Sequence, residues 1–328
     1  MRVKAPSYLN LYWSGELTEH VKALKAFLEH CTVCPRNCGV NRLKDEQGYC
    51  LTGADAYVTS VCDHHGEEPV LSGTRGSGTI FFGGCNLRCV FCQNYQISQR
   101  PRYFKIFKMS ADELAQQMIS LQNNLGVHNI NFVSPSHVVP QMVEAIYKAI
   151  PLGLKIPIVY NTNGYDSLEV IKLLDGIVDI YLPDFKYFDN QLAWQYSKVK
   201  DYVDHVKPVL KEMYRQVGDL KLDQNGIAVK GLIIRHLILP NDQAGTEQIL
   251  EWIARELSPK VAISLMAQYY PTHKVHQYPL ISRRIRYSEY YRAIQKMESL
   301  NLTTVFAQQM DAPEHYLPDF EKNGHPFE

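Results

Sequence analysis

The chain has 328 residues, 45% of them apolar and 21% charged, with 34 Lys+Arg balanced by 34 Asp+Glu. A chain of this size buries enough apolar surface to need no cross-links, and its neutrality removes the electrostatic case for nucleic acid or an anionic membrane as the main partner. No run approaches the roughly 18 apolar residues of a membrane helix, and the start MRVKAPSYLNLYW has no signal-peptide apolar core, so a cytoplasmic, reducing location is expected.

In chain order, Leu17, Val21, Leu24, Phe27 and Leu28 recur at helical spacing and predict an amphipathic helical start. Residues 31–78 follow, rich in Cys, Gly and turn formers. They end in Gly73-Thr-Arg-Gly-Ser-Gly78, which precedes a strand instead of following one and so reads as a turn, not a nucleotide loop. Within them, His64-His65-Gly-Glu67-Glu68-Pro69 offers a metal or base cluster, but such a run more often forms a hydrated loop beside a turn, and that is the expectation here. From residue 79, β-branched apolar runs at 79–82, 129–133, 156–160, 177–182, 231–239 and 262–267 predict strands. Helices are expected between them, one opening at Ser110-Ala-Asp-Glu and others near 138–150, 167–175, 189–217 (broken near Pro208) and 243–257. The alternation predicts an α/β fold with right-handed βαβ units, a partial (β/α)6 parallel barrel behind an N-terminal Cys-rich metal-binding segment. A doubly wound sheet is the competing architecture. The expected division is 1–78 for the helix and Cys-rich segment and 79–328 for the barrel with a C-terminal extension.

Polar residues cluster where these strands end: Ser134–His137, Asn161–Gly164, Asp184–Lys186, Arg235–His236 and Gln268–Tyr270. Parallel α/β folds place ligand chemistry at that edge, which predicts a single site. The many tyrosines are expected in core and rim packing.

All eight cysteines lie between Cys31 and Cys92, which in a reducing compartment favours metal ligation over disulfides. Gly84-Cys85-Asn-Leu-Arg-Cys89-Val-Phe-Cys92-Gln-Asn94 has C-x3-C-x2-C spacing directly after the first barrel strand. A [4Fe–4S] cube fully ligated by protein takes four thiolates. Three leave one iron open, as a catalytic metal keeps a position for substrate. A structural zinc site would need a further ligand. Cys31-x2-Cys34-x3-Cys38 and then Cys50 form a second, four-thiolate constellation suited to zinc or to a second [4Fe–4S] cluster. Cys62 reads as a small buried residue.

The cysteine spacing, with Phe91 before the last thiol, resembles the signature of the radical S-adenosylmethionine (SAM) superfamily. Tyr160-Asn161-Thr162-Asn163-Gly164 and Leu182-Pro183-Asp184-Phe185-Lys186 resemble strand ends of pyruvate formate-lyase activating enzymes and their relatives. The chain, from Cys31-Thr-Val-Cys34-Pro-Arg-Asn-Cys38 to the tail Asn323–Glu328, looks like an uncharacterised branch of that group. The resemblance implies an oxidoreductase in which Cys85, Cys89 and Cys92 hold a [4Fe–4S] cluster. SAM would bind its open iron and be cleaved reductively to a 5′-deoxyadenosyl radical, which abstracts a substrate hydrogen. It further implies that Phe91 lies against the adenine and that Asn161, Thr162, Asp184 and Lys186 line the cofactor, with Asn94, Asn163 and Arg235 completing the set.

One segment departs from the family pattern. Where a Gly-Gly-Glu-like stretch is usual, this strand ends Val133-Ser134-Pro135-Ser136-His137. Ser134 and Ser136 offer hydroxyl acceptors for the cofactor's amino group, and His137 is a candidate proton donor near the substrate or a helix residue facing solvent. Expected partners are a reductant such as flavodoxin or ferredoxin and a substrate that is a small molecule, a peptide or a glycyl radical protein, with no nucleic acid and no membrane. The alternative is a non-catalytic iron–sulfur or zinc protein acting as electron carrier or scaffold.

Overall fold

The N-terminal periodicity resolves into two helices, α1 (Ser7–Ser14) and α2 (Glu16–Ala26), joined at Gly15, whose φ of +83° ends the first. Leu17, Leu24 and Leu28 face the core, as their spacing requires. The computed structural model describes residues 5–100, 107–307, 318–320 and 326–327. Of the tail Asn323–Glu328, only Pro326 and Phe327 fall within it.

After the cysteine-rich turns come β1 (Ala56–His64), α3 (Pro69–Ser72), β2 (Ser77–Phe82), α4 (Tyr95–Gln99) and β3 (Phe107–Met109). The barrel wall continues with α5 (Ala111–Ser120), β4 (Ile130–Val133), α6 (Val139–Ala149), β5 (Ile158–Thr162), α7 (Leu168–Lys172) and β6 (Ile180–Pro183). It is completed by α8 (Asn190–Ser197), α9 (Tyr202–Val217), β7 (Lys221–Leu222), β8 (Ala228–Leu237), α10 (Thr246–Glu256), β9 (Ala262–Met266), α11 (Tyr287–Ser299) and β10 (Val305–Ala307). Ser110 and Glu113 close a reciprocal capping box at the start of α5.

Strand order decides between the two architectures. The sheet runs β10-β9-β8-β6-β5-β4-β2-β1-β3, with β7 paired to β8. From β2 to β10 every neighbouring pair is parallel and follows the chain without reversal. A doubly wound sheet reverses its order at a switch point, whereas a barrel wall does not. The expected six strands are β2, β4, β5, β6, β8 and β9. At the other edge β1 pairs antiparallel with β2 and β3 with β1, so the sheet crosses the 78/79 boundary between the two expected regions.

The helical stretch expected at 189–217 breaks ten residues before Pro208. Lys198 adopts left-handed φ/ψ and ends α8, while Pro208 sits inside α9. The break lets the end of α8 turn onto the cysteine loop, so tertiary contact outweighs the missing proline N–H. Among the largest fully buried side chains are Tyr160, Tyr181, Tyr187, Tyr202 and Tyr269. Each hydroxyl finds a partner: Asp166, Gln216, Ser197, the carbonyls of Asn163 and Asp184, and the carbonyl of Ile281, respectively.

Gly84, just beyond β2, has φ +83°, and a Cβ there would lie 2.2 Å from the Cys50 carbonyl oxygen. The left-handed backbone alone costs a side-chain-bearing residue about 1–2 kcal/mol. Gly84→Ala is therefore expected to lower thermal stability by at least that much and to loosen residues 31–50. Circular dichroism melting and limited proteolysis measure both; an unchanged melt with no new cleavage there would refute the close packing.

Candidate active site

β2 delivers its chain through Gly83 and Gly84 into the loop carrying Cys85, Cys89 and Cys92. Their three sulfurs border one pocket of about 250 Å³ at the C-terminal edge of the parallel strands. Each sulfur has a hydrogen-bonding neighbour from a different element. Asn163 Nδ2 approaches Cys85 Sγ at 3.6 Å, Ser197 Oγ donates to Cys89 Sγ at 2.9 Å, and Ser98 Oγ lies 3.3 Å from Cys92 Sγ. Burial pushes all three thiols up, Cys92 to about 12, and the mutual repulsion of thiolates adds to it at Cys85 and Cys92. A cationic centre among them reverses that balance, so the donor set suits a thiolate-bound metal cluster better than three free thiols.

The strand ends complete the wall. Lys186 Nζ pairs with Asp184 Oδ2. Burial works to lower the Lys186 pKa, but the Asp184 and Cys89 charges hold it raised. Phe91 sets its ring edge-on to Tyr187 and Tyr269, with centroids 6.5 and 5.8 Å away. Of the expected cofactor-binding residues, Phe91, Asn94, Ser134, Asn161, Asn163, Asp184, Lys186 and Arg235 line the pocket.

Ser136 and Thr162 do not line it. They form a buried chain behind the strand ends, Ser136 Oγ to Thr162 Oγ1 at 2.9 Å and Thr162 Oγ1 to Asp166 Oδ2 at 2.6 Å. Thr162 Oγ1 also accepts the Gly164 N–H, so this chain shapes the Asn161–Gly164 turn from below. His137 is likewise misplaced by both sequence readings. It is only 1% exposed and lies outside the pocket, with Nε2 against the Gly83 carbonyl at 3.1 Å. Burial beside Arg42 lowers its pKa to about 3, which fits a neutral packing residue. The 3₁₀ turn at Pro135–His137 swings the imidazole toward the N-terminal segment.

Glu67 and Glu68, expected in a hydrated loop, are instead buried at the pocket. Arg235 bonds Glu68 through Nε at 2.7 Å and Nη2 at 2.8 Å, and its Nη2 also bonds Glu67 Oε2. Glu67 Oε1 accepts from Asn131 at 3.0 Å. Burial raises the Glu67 pKa; for Glu68 the same burial is outweighed by Arg235, which lowers it. The run of His and Glu is itself a signal for a functional cluster, but its local composition favours a solvated loop. The antiparallel pairing of β1 with β2, His64 opposite Ser77, starts the loop at the N-terminal edge of the sheet. Val70 and Leu71 then pack inside the barrel against Val159, Leu182 and Ile233, and this brings Glu67 and Glu68 to Arg235.

The second constellation is separate and closed. Cys31, Cys34, Cys38 and Cys50 border a cavity of about 10 Å³ together with Arg36, Arg42 and His137. Among the described residues, no three or more His, Cys, Asp or Glu are arranged to hold a single metal ion. The two cysteine loops are fastened to each other. Tyr49 is sandwiched between Arg36 and Arg88, whose guanidinium carbons lie 3.9 and 4.3 Å from its ring centre. Arg36 Nε donates to the Asn86 carbonyl at 2.8 Å, and Arg88 Nη2 donates to the Tyr49 carbonyl. No helix among the described residues is long and apolar enough to cross a membrane.

A family model described as the radical SAM superfamily matches residues 79–219. The uncharacterized protein MJ0674 of Methanocaldococcus jannaschii is 35% identical over 295 residues, which cover 87% of this chain and 79% of that one. MJ0808 of the same organism is 24% identical over 268 residues, 76% of this chain and 73% of its own. Among solved structures, HydG, a maturase of the [FeFe]-hydrogenase, aligns with a TM-score of 0.49 at 12% identity, covering 69% of this chain and 50% of HydG. Methylornithine synthase (PylB) aligns with a TM-score of 0.44 at 12% identity, covering 76% and 74% of the two chains.

The Arg235 network yields a paired expectation. Arg235→Met strands two buried carboxylates and should cost about 3–5 kcal/mol. Glu67→Gln removes a charge that burial already disfavours. Asn131 Oδ1, which has no partner, can turn to accept from the new amide, so the cost should stay below about 1 kcal/mol. Chemical denaturation of both variants checks the contrast, and similar losses in the two would contradict it.

Proposed function

The chain belongs to the radical SAM superfamily, and we propose that Cys85, Cys89 and Cys92 hold the [4Fe–4S] cluster that membership implies. The observation carrying this is the convergence of those three sulfurs with residues from five successive strand ends on one pocket. Held by Cys85, Cys89 and Cys92, such a cluster would supply the one-electron chemistry for reductive cleavage of SAM and hydrogen abstraction from a substrate.

The chain's own residues bind, orient and exclude water. Asp184 fixes the Lys186 ammonium, whose charge favours the Cys85 and Cys89 thiolates. Asn163 and Ser197 orient sulfur lone pairs, and Phe91 offers an apolar face braced by Tyr187 and Tyr269 for a nucleoside base. Asn161, held between Glu67 and Arg235, contributes fixed polar groups opposite. Arg235 leaves the site nearly neutralised against Glu68, so a charged ligand meets a preorganised network.

A small-molecule substrate suits this site better than a loop of a glycyl radical protein. Phe327 stacks on His64 with centroids 4.1 Å apart, Phe320 meets Phe81 edge-on, and Pro318 joins Phe327 in the pocket wall. That cover narrows the entrance a peptide would need. Cys31, Cys34, Cys38 and Cys50 we assign to a closed four-thiolate site for a second cluster in preference to zinc, because these thiols are not arranged to hold a single ion, and the small cavity leaves no room for substrate.

Anaerobic protein reconstituted with iron and sulfide should form 5′-deoxyadenosine from SAM when reduced with dithionite, and Cys89→Ala should form none above background. Equal product from both would sink the assignment. In the Cys85/Cys89/Cys92→Ala triple variant, bound iron with sulfide would identify a second cluster and bound zinc a staple. No bound metal at all would remove the second site.

A further inference from the structure

An electron bound for the Cys85–Cys92 loop has to enter from outside, and two segments cover the middle of that loop. At the end of α8, the Tyr196 carbonyl accepts from the Val90 N–H at 2.8 Å and the Ser197 carbonyl from the Arg88 N–H at 3.1 Å. Ser197 Oγ reaches Cys89 Sγ directly. From the other side, the Lys274 N–H donates to the Val90 carbonyl at 2.9 Å. The middle of the cysteine loop is thus clasped by residues 194–200 and by the segment following β9.

The outer surface of that clasp is cationic and aromatic. Trp194 is 47% exposed and Leu280 51%. Lys198 Nζ lies 5.8 Å from both the Trp194 and Tyr278 ring centres, and Lys200 Nζ lies 5.2 Å from Trp194. Although the whole chain is neutral, residues 267–288 contain Lys274, Arg283, Arg284 and Arg286 and no Asp or Glu. The adjoining carboxylates are already engaged: Asp201 accepts from Tyr165 and pairs with His205, and Glu289 is forked by Arg283. Lys198, Lys200 and Lys274 have no carboxylate partner among the described residues.

We propose that this face, centred on Trp194, Lys198, Lys200, Lys274 and Tyr278, receives a small acidic protein that donates one electron to the cluster. An exposed tryptophan and a half-buried tyrosine among lysines that have no carboxylate partner among the described residues are the composition of a transient, charge-steered interface, where complementarity sets the encounter rate. The face also lies one side-chain contact from a cluster ligand, through Ser197. The balance is simple: the donor is oxidised by one electron and the cluster reduced by one. The proposal rests on the cluster assignment above and specifies where its reductant docks.

The test uses the full chain with its cluster reconstituted, and reduced flavodoxin as the acidic probe donor. Lys200→Glu/Lys274→Glu is expected to slow flavodoxin-driven 5′-deoxyadenosine formation about tenfold or more. Lys200→Gln/Lys274→Gln should fall between that variant and the parent, and raised salt should slow the parent toward it. Dithionite-driven formation, which needs no docking, should stay within about twofold of the parent in both. A flavodoxin-driven rate unaffected by charge reversal overturns the proposal, as does an equal loss with dithionite or a parent that accepts no electrons from flavodoxin. Absence of product from the parent with dithionite would instead refute the cluster assignment itself.

Discussion

Three thiols within one eight-residue loop lose their hydration on burial, and Cys85 and Cys92 are further opposed by their thiolate neighbours; all three are raised in pKa. The rest of the site follows from keeping them together. Each sulfur is met by a polar side chain from a different part of the fold, Asn163 beyond β5, Ser197 at the end of α8 and Ser98 on α4. Lys186 adds positive charge, and its own ammonium is retained in a buried position because Asp184 stands beside it. No single segment could assemble these donors. Only the C-terminal edge of a parallel sheet brings successive strand ends to one point.

The N-terminal cysteines are tied to the same requirement. A polar, turn-rich segment of this kind has little apolar surface with which to hold itself against a barrel. Here the attachment is made by two arginines enclosing one tyrosine ring and by the Cys50 carbonyl seated against Gly84. Arg42 extends the attachment inward, donating to the carbonyls of Gly53 and His137. Order in residues 31–50 is thus coupled to order in the loop that carries Cys85, and each loop limits the freedom of the other.

Charge is handled differently on the two sides of the cysteine loop. Toward the pocket, Arg235 is matched by Glu67 and Glu68, and Lys186 by Asp184, so a ligand enters a largely compensated environment. Toward solvent, Lys198, Lys200 and Lys274 stand beside Trp194 and Tyr278 without a carboxylate partner among the described residues. The chain is neutral overall, so this asymmetry arises entirely from where the fold places its charges.

The six parallel strands and the pocket-lining role of Asp184, Lys186, Asn161 and Asn163 were legible in one dimension. Apolar β-branched runs with polar ends and cysteines at fixed spacing are local patterns, and a parallel sheet turns each into a position at one edge. Four features were not legible, for one physical reason: each depends on contacts between residues far apart in sequence. Glu67 and Glu68 became buried because Arg235 lies 168 and 167 residues away in sequence and directly opposite in space. His137 turned toward Gly83 and the N-terminal cavity, and Ser136 and Thr162 withdrew behind the strand ends with Asp166. The break between α8 and α9 fell at Lys198, where Ser197 meets Cys89, and not at Pro208. The sequence by itself determined the cysteine spacing and the barrel that follows it. Tertiary packing alone decided which polar residues face the pocket and which support them, because side-chain direction at a strand end depends on neighbours that local sequence does not encode.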